Sequence, residues 1–246
     1  KYVENLPPIK DINNYDVFEI ASKKHHYTHA FFKYPARFIP EIPNWFLRNF
    51  TKEKDVILDC FCGSGTALVE AGLMGRVPLG IDFDPLSQLL TNTKTKHLKK
   101  NEIQFIQDIY KELIKPCADT SYPDIDNLDH WFNKKNKKNL SNIITNINSL
   151  NTTNKNIINF LLTAFASIIR KSSNADQVSP KPYVSSKAKT IPKDANLLFL
   201  ETVEKNLAVF SDQNLKSKFS STIIGSDARK IRGHINKIDH VITSPP

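Results

Sequence analysis

Cysteine, glycine and methionine are all scarce in this chain of 246 residues, which holds three Cys, seven Gly and one Met. Three thiols cannot staple a chain of this length into a disulfide framework, and free thiols in a reducing cytoplasm are the simpler reading. Few Gly against fourteen Pro excludes collagen-like repeats and Gly/Ser linkers. No apolar stretch follows the basic start, so a signal peptide is not expected. The most apolar run, Ile157 to Ile169, is shorter than the roughly 20 residues of a bilayer span and contains Asn159. It reads as a buried core helix, and no membrane partner is expected. No internal repeat is visible. His25, His26 and His29 lack spaced partners, and Cys60-x-Cys62 is wrongly spaced for a structural zinc pair, so no metal is expected.

What is present is a globular composition, 40% hydrophobic and 24% charged. The length suits one large domain, or one domain with an insertion. The net charge is +9, which points towards a polyanion such as nucleic acid or simply towards a well-solvated surface. The chain starts at Lys1 without Met and stops at Thr243-Ser244-Pro245-Pro246. Neither looks like a natural terminus, and a fragment or processed chain is expected.

Residues 29–40 form an aromatic, Pro-containing segment, and a short helix should follow with Trp45, Phe46 and Phe50 on its apolar side. Val56 to Cys60 is a continuous apolar run interrupted only by Asp59, as buried parallel strands read. Phe61 to Thr66 is a loop, and Ala67 to Met74 a helix ending near Gly75. Val77 to Asp82 predicts a second strand, and Pro85 opens a second helix. Strand–loop–helix–strand–helix is the pattern of a doubly wound α/β sheet. It then breaks. Residues 100–215 read as mostly helical and rich in Asn and Lys, a richness taken as compositional bias, and 170–193 reads as a long basic loop. Strands resume at Thr222–Gly225 and Asp239–Thr243.

The sharpest local signal is Asp59-Cys60-Phe61-Cys62-Gly63-Ser64-Gly65-Thr66. Gly63 and Gly65 permit a tight turn and close approach of a ligand, and the following helix start presents free N–H groups. Asp82 ends the next strand, at about the 20-residue separation of an acid that accepts ribose hydroxyls. Dinucleotides and adenosyl ligands both fit at this point. Walker-type phosphate binding is disfavoured, because no Lys adjoins Gly65-Thr66.

Four motifs in order carry a resemblance: the Asp59–Thr66 loop, Gly80-Ile81-Asp82, Ser226-Asp227-Ala228-Arg229 and Thr243-Ser244-Pro245-Pro246. Together they resemble the S-adenosylmethionine-dependent DNA amino-methyltransferases, which methylate cytosine N4 or adenine N6. The resemblance implies a Rossmann-like α/β sheet with a largely helical insertion between its second and third strands. It implies S-adenosylmethionine as cofactor, held by Asp59, Phe61, Cys62, Gly63, Ser64, Gly65 and Thr66 at its methionine end. Asp82 would bind the ribose, with Phe83 beside it, and Asp227 with Ala228 the adenine. Tyr34, Pro35, Ala36, Arg37 and Phe38 resemble the cofactor motif that precedes the Gly loop in some members. Ser244, Pro245 and Pro246 resemble the start of the catalytic Ser/Asp/Asn-Pro-Pro-aromatic tetrapeptide. Its Ser form is commoner in cytosine-N4 enzymes; the aromatic would be position 247, beyond this sequence. No Pro-Cys nucleophile of the cytosine-C5 type is present.

The resemblance implies a base flipped out of DNA as substrate. A restriction enzyme acting on the same site and the missing C-terminal region of the same protein are the other expected partners. Within the basic loop, Arg170, Lys171, Lys181, Lys187 and Lys189 are candidate DNA contacts. Three parts are expected: an N-terminal cofactor segment (1–50), a catalytic domain (51–99 with 218–246) and a helical insertion (100–217). An adenine-N6 enzyme, an RNA guanine-N2 methyltransferase and a non-catalytic fragment that binds only cofactor or DNA are the alternatives, and the fragment alone is expected to be inactive.

Overall fold

The structure is a computed structural model; it describes residues 2–3, 6–20, 27–34, 38–118, 120–179, 181–186, 190–210, 219–231, 233 and 237–244. The chain divides into two compact units. The first comprises 1–30, 34–97 and 213–246, and the second 31–33 and 98–212.

Near the start, Tyr2–Val3 (β1) and Glu19–Ile20 (β2) pair in parallel. The first unit is then built on a four-stranded parallel sheet of Val56–Asp59 (β3), Val77–Ile81 (β4), Thr222–Gly225 (β5) and His240–Val241 (β6). Its order is β5-β4-β3-β6. The chain therefore steps outward from β3 through β4 to β5, then returns to the opposite side of β3. That reversal is a topological switch point, where open α/β sheets form a crevice beyond the strand carboxyl ends.

Ile57 and Leu58 are fully buried, as a run apolar on both faces requires. Helices Glu41–Phe50 (α1) and Thr66–Leu73 (α2) flank the sheet, with Leu47, Ile57, Ala67, Ala71 and Ile242 in one apolar cluster. Helix Pro85–Lys94 (α3) is capped by Asp84, whose carboxylate accepts from the Leu86 and Ser87 amides. Two expectations need correction. On α1 it is Leu47 that is buried, while Phe50 remains 43% exposed. The last strand spans only His240–Val241, beside β3, and its pairing is lengthened by bonds from the Asp239 amide to the Val56 carbonyl and from the Ile242 amide to the Leu58 carbonyl.

The second unit is helical: Lys100–Ile109 (α4), Leu128–Trp131 (α5), Lys134–Asn148 (α6), Lys155–Ile169 (α7) and Ala195–Phe210 (α8). Its core joins Ile143 and Ile147 of α6, Phe160, Leu161, Ala164 and Ile168 of α7, and Phe199 and Val203 of α8. Phe31 closes it, edge-on to Phe160 and Phe210 at 6.1 and 5.8 Å. The run Ile157 to Ile169 is thus a core helix. Among the described residues no helix is long and apolar enough to cross a membrane.

The Asn richness of this unit is structural, contrary to its reading as compositional bias. Asn133 and Asn154 are N-caps. Asn154 and Asn156 both donate to Glu102 Oε1. The buried Asn136 donates to the Ser172 and Lys193 carbonyls and accepts from the Ala195 amide, pinning both ends of the basic loop.

Candidate functional site

The crevice beyond β3 and β6 is lined by Tyr34, Phe38, Asp59, Phe61, Cys62, Gly63, Ser64, Thr66, Ala67 and Ser244. Its shape follows from the loop after β3. Gly63 and Gly65 have φ of 50° and 77°, left-handed values that a side chain would strain. Gly65 is also crowded: a Cβ there would stand 2.7 Å from Thr91 Oγ1 and 3.2 Å from the Thr91 Cα. With Gly65 as its N-cap, α2 starts at Thr66 with no side chain capping its first turn. The N–H groups of its first turn are thus left without a side-chain cap, and Thr66 and Ala67 of that turn line the crevice.

The loop is clasped from both sides. The Gly63 amide donates to Asp82 Oδ2 at 2.7 Å, while Asp82 Oδ1 accepts from the Asp84 amide at 2.9 Å. The Gly63 carbonyl accepts from the buried Thr91 hydroxyl of α3 at 3.0 Å. Asp82 thus sits behind the loop, outside the crevice lining. Its carboxylate still has lone pairs beyond the two amides it serves. Phe83, next in sequence, is 86% exposed.

Asp59 ends β3 at 2% exposure. Its Oδ1 accepts from the Thr243 hydroxyl at 2.8 Å and from the Phe61 amide at 3.2 Å. Burial pushes its carboxyl up to about 6, against the two hydrogen bonds, and the nearby Asp82 charge adds to the rise. Burial likewise pushes the Cys62 thiol up to about 12, so it is a packing thiol and not a nucleophile at neutral pH. All three cysteines are unpaired. Tyr34 stands over the loop, its ring 3.6 Å from where a Gly63 Cβ would lie. Its hydroxyl meets Ser87 Oγ at 2.7 Å and donates to Asp84 Oδ2 at 3.3 Å. One polar atom of the lining is unsatisfied: Ser64 Oγ is buried and has no hydrogen-bond partner. A buried hydroxyl without a partner costs free energy unless a ligand completes it.

Asp227 follows β5, separate from this lining. Both its oxygens are taken by Arg229, at 2.9 Å each, and that guanidinium holds its carboxyl down to about 2. Ala228 begins the short turn beyond it. Pro35, Ala36, Arg37, Lys187, Lys189, Pro245 and Pro246 lie outside the described residues. Of the basic-loop candidates, Lys171 and Lys181 are exposed. Arg170 instead turns inward: its guanidinium donates to the carbonyls of Asp176 and Ser179 and shapes the loop. Among the described residues no His/Cys/Asp/Glu group has the arrangement to hold a metal.

Sequence reasoning missed Ala67 in the lining, Thr91, Asp84 and Ser87 around it, and the bond that Thr243 makes to Asp59. Asp84-Pro85 carries a legible signal, an N-cap acid before Pro at the first helical position. Thr91 carries none, since nothing local marks one buried hydroxyl on α3.

The fold is that of an α/β protein with a Gly-rich loop at the switch point of its parallel sheet, the place where such sheets form their ligand crevices. Comparison with known proteins makes this narrower. Residues 4–93 match a family model described as DNA methylase, of the N6/N4 type. Type II methyltransferase M.MvaI of Kocuria varians is 28% identical over 260 residues, 97% of this chain and 57% of that protein. Type II methyltransferase M.MjaII of Methanocaldococcus jannaschii is 33% identical over 128 residues, 48% of this chain and 24% of that protein. No solved structure matches. By these matches the chain is similar to DNA methylases of the N6/N4 type, a family that generally uses S-adenosylmethionine. It spans only part of the length of either relative, 57% in one case and 24% in the other.

Proposed function

We propose that the chain carries the cofactor site and the start of the catalytic loop of a type II DNA methyltransferase. The reaction is methyl transfer from S-adenosylmethionine to an exocyclic base amine, with cytosine N4 the favoured target. The observation that carries this reading is the meeting of the Gly63–Gly65 loop, the buried Asp59 and Ser244 in one crevice.

The residues present fit the cofactor. The partnerless Ser64 hydroxyl awaits a polar ligand atom, and two carboxylates, Asp59 and Asp82, suit a ligand that carries positive charge. S-adenosylmethionine supplies the methyl group on a sulfonium when bound. Gly63 and Gly65 let the loop backbone come close to the ligand. Asp82, still anchored by the Gly63 and Asp84 amides, offers its remaining lone pairs to ribose hydroxyls. Phe83 gives an exposed ring for an adenine, and Asp227 serves the adenine amino group only if it shares its oxygens with Arg229.

Ser244 lies on the crevice rim, where its hydroxyl can accept an N–H of the target amine. An exocyclic amine is a poor nucleophile because its lone pair is delocalised into the ring. An acceptor aimed at N–H favours the tetrahedral geometry and takes up developing positive charge. Pro245 and Pro246 have fixed φ and no N–H, so they stiffen that loop and leave carbonyls free. Lys171, Lys181, Lys187 and Lys189 of the basic loop would meet DNA phosphates. The enzyme would work in the cytoplasm, with a restriction endonuclease of the same specificity as its partner. The three-part division anticipated from sequence, with recognition in 100–217, belongs to this reading.

Titration calorimetry with S-adenosylmethionine tests the site. The full-length protein should bind it, and Asp82→Ala should weaken binding at least about tenfold, the loss of roughly one charge-assisted hydrogen bond. Unchanged affinity overturns the assignment. Mass spectrometry of nucleosides from methylated DNA then separates N4-methylcytosine from N6-methyladenine, and label appearing only in RNA points to a guanine-N2 enzyme.

A further inference from the structure

Thr243 does something that neither the motif resemblance nor the Gly loop accounts for. Backbone pairing between β3 and β6 runs through Ile57↔His240 and Leu58↔Val241 and ends with the Ile242 amide on the Leu58 carbonyl at 2.9 Å. The next rung of the ladder would be Asp59. There the connection passes from backbone to side chains: the Thr243 hydroxyl donates to Asp59 Oδ1 at 2.8 Å. Asp59 and Ser244 both line the crevice, and Thr243, immediately before Ser244, ties one to the other.

We propose that the Thr243–Asp59 hydrogen bond is the joint that seats Ser244 at the crevice and couples its placement to ligand occupancy. Thr243 is a positioning residue, not a catalytic one, and the proposal rests on the methyltransferase reading above. Three features support it. The strand before it is only two residues long, and past the Ile242–Leu58 bond this segment is linked to β3 through Thr243. The acceptor is 2% exposed, and a hydrogen bond to a carboxylate strengthens where water is excluded. Both hydrogen bonds to Asp59 fall on Oδ1, so Oδ2 is left for the positive end of a bound ligand. A cation at Oδ2 keeps the carboxylate ionised and the Thr243 bond strong. Binding and loop placement are thereby linked, and the linkage is reciprocal.

The test compares the full-length protein with Thr243→Val, which is isosteric but lacks the hydroxyl, and Thr243→Ser, which keeps it. Thr243→Ala stands in for Val if that variant misfolds. Amide hydrogen exchange over residues 241–244 is read without ligand and with S-adenosylmethionine, beside calorimetry of the cofactor and steady-state methyl transfer. Without ligand, exchange in this segment should be severalfold faster in Val than in wild type and near normal in Ser. The cofactor should slow it in wild type and Ser but not in Val. kcat should fall about tenfold or more in Val with the KM for DNA little changed, and Ser should restore most of it. Equal exchange in Val and wild type without ligand overturns the joint. So does a Ser variant as defective as Val. Equal slowing by the cofactor in Val and wild type overturns the coupling. A wild type that binds no S-adenosylmethionine sinks the methyltransferase reading instead, and the exchange measured without ligand still decides the joint.

Discussion

Asp59 illustrates how a single side chain can serve a site at the expense of stability. Its carboxyl is raised from 3.8 to about 6 chiefly by burial. The folded state therefore binds a proton more tightly than the unfolded chain. As pH rises from about 4 to about 6, the folded protein loses stability from this group, and above 6 the loss is constant. The full penalty is about 3 kcal/mol by order of magnitude. Asp59→Asn keeps an oxygen that can accept from Thr243 and Phe61 but removes the charge. It should raise stability at pH 7 by about 1–3 kcal/mol and have little effect near pH 4, while weakening S-adenosylmethionine binding. Urea unfolding at the two pH values checks the sign. Gly65→Ala should act in the opposite direction. The φ of 77° and the 2.7 Å approach to Thr91 leave no room for a methyl group, so a loss of about 1–3 kcal/mol is expected in the same assay.

At the scale of elements, α3 organises the site from behind. Asp84 caps it and also receives the Tyr34 hydroxyl, and Thr91, about two turns further on, holds the Gly63 carbonyl. Asp84→Ala should cost about 1 kcal/mol through the lost cap and release Tyr34 from one of its partners, visible as a lowered melting temperature with weaker cofactor binding. The helical elements of the second unit were legible because their apolar positions recur at helical spacing, as in α7. The work of the asparagines was not. Asn136 bonds to residues 36 and 57 positions away, and no local pattern announces partners that distant. The same holds for Arg170. In sequence it is one more cation of a basic loop; folded, it serves that loop's own carbonyls.

At the scale of the whole molecule, the +9 charge acquires a proposed partner in DNA. Exposed cations contribute by releasing counterions, so the double change Lys171→Ala/Lys181→Ala should weaken DNA binding about equally across sequences. It should lower the slope of log K against log salt by roughly 2, measured by anisotropy at several salt concentrations. A change in sequence preference with an unaltered slope would assign those lysines to base contacts instead.

The amino-acid sequence alone determined the α/β class, the Gly loop and the order of the motifs. These rest on short-range physics: buried parallel strands need unbroken apolar runs, and a tight left-handed turn needs glycine. It also carried the resemblance to the DNA amino-methyltransferases, because the motif residues stand in a recognisable order along the chain. Only the tertiary structure decided that Asp59 at the end of β3 meets Thr243, 184 positions later, and that Asp82 faces the back of the Gly loop. Only it placed His240–Val241 beside β3. The reason is physical: parallel pairing and buried hydrogen bonds join residues far apart in sequence. Their partners are chosen by packing of the whole sheet, which no local window of the chain contains.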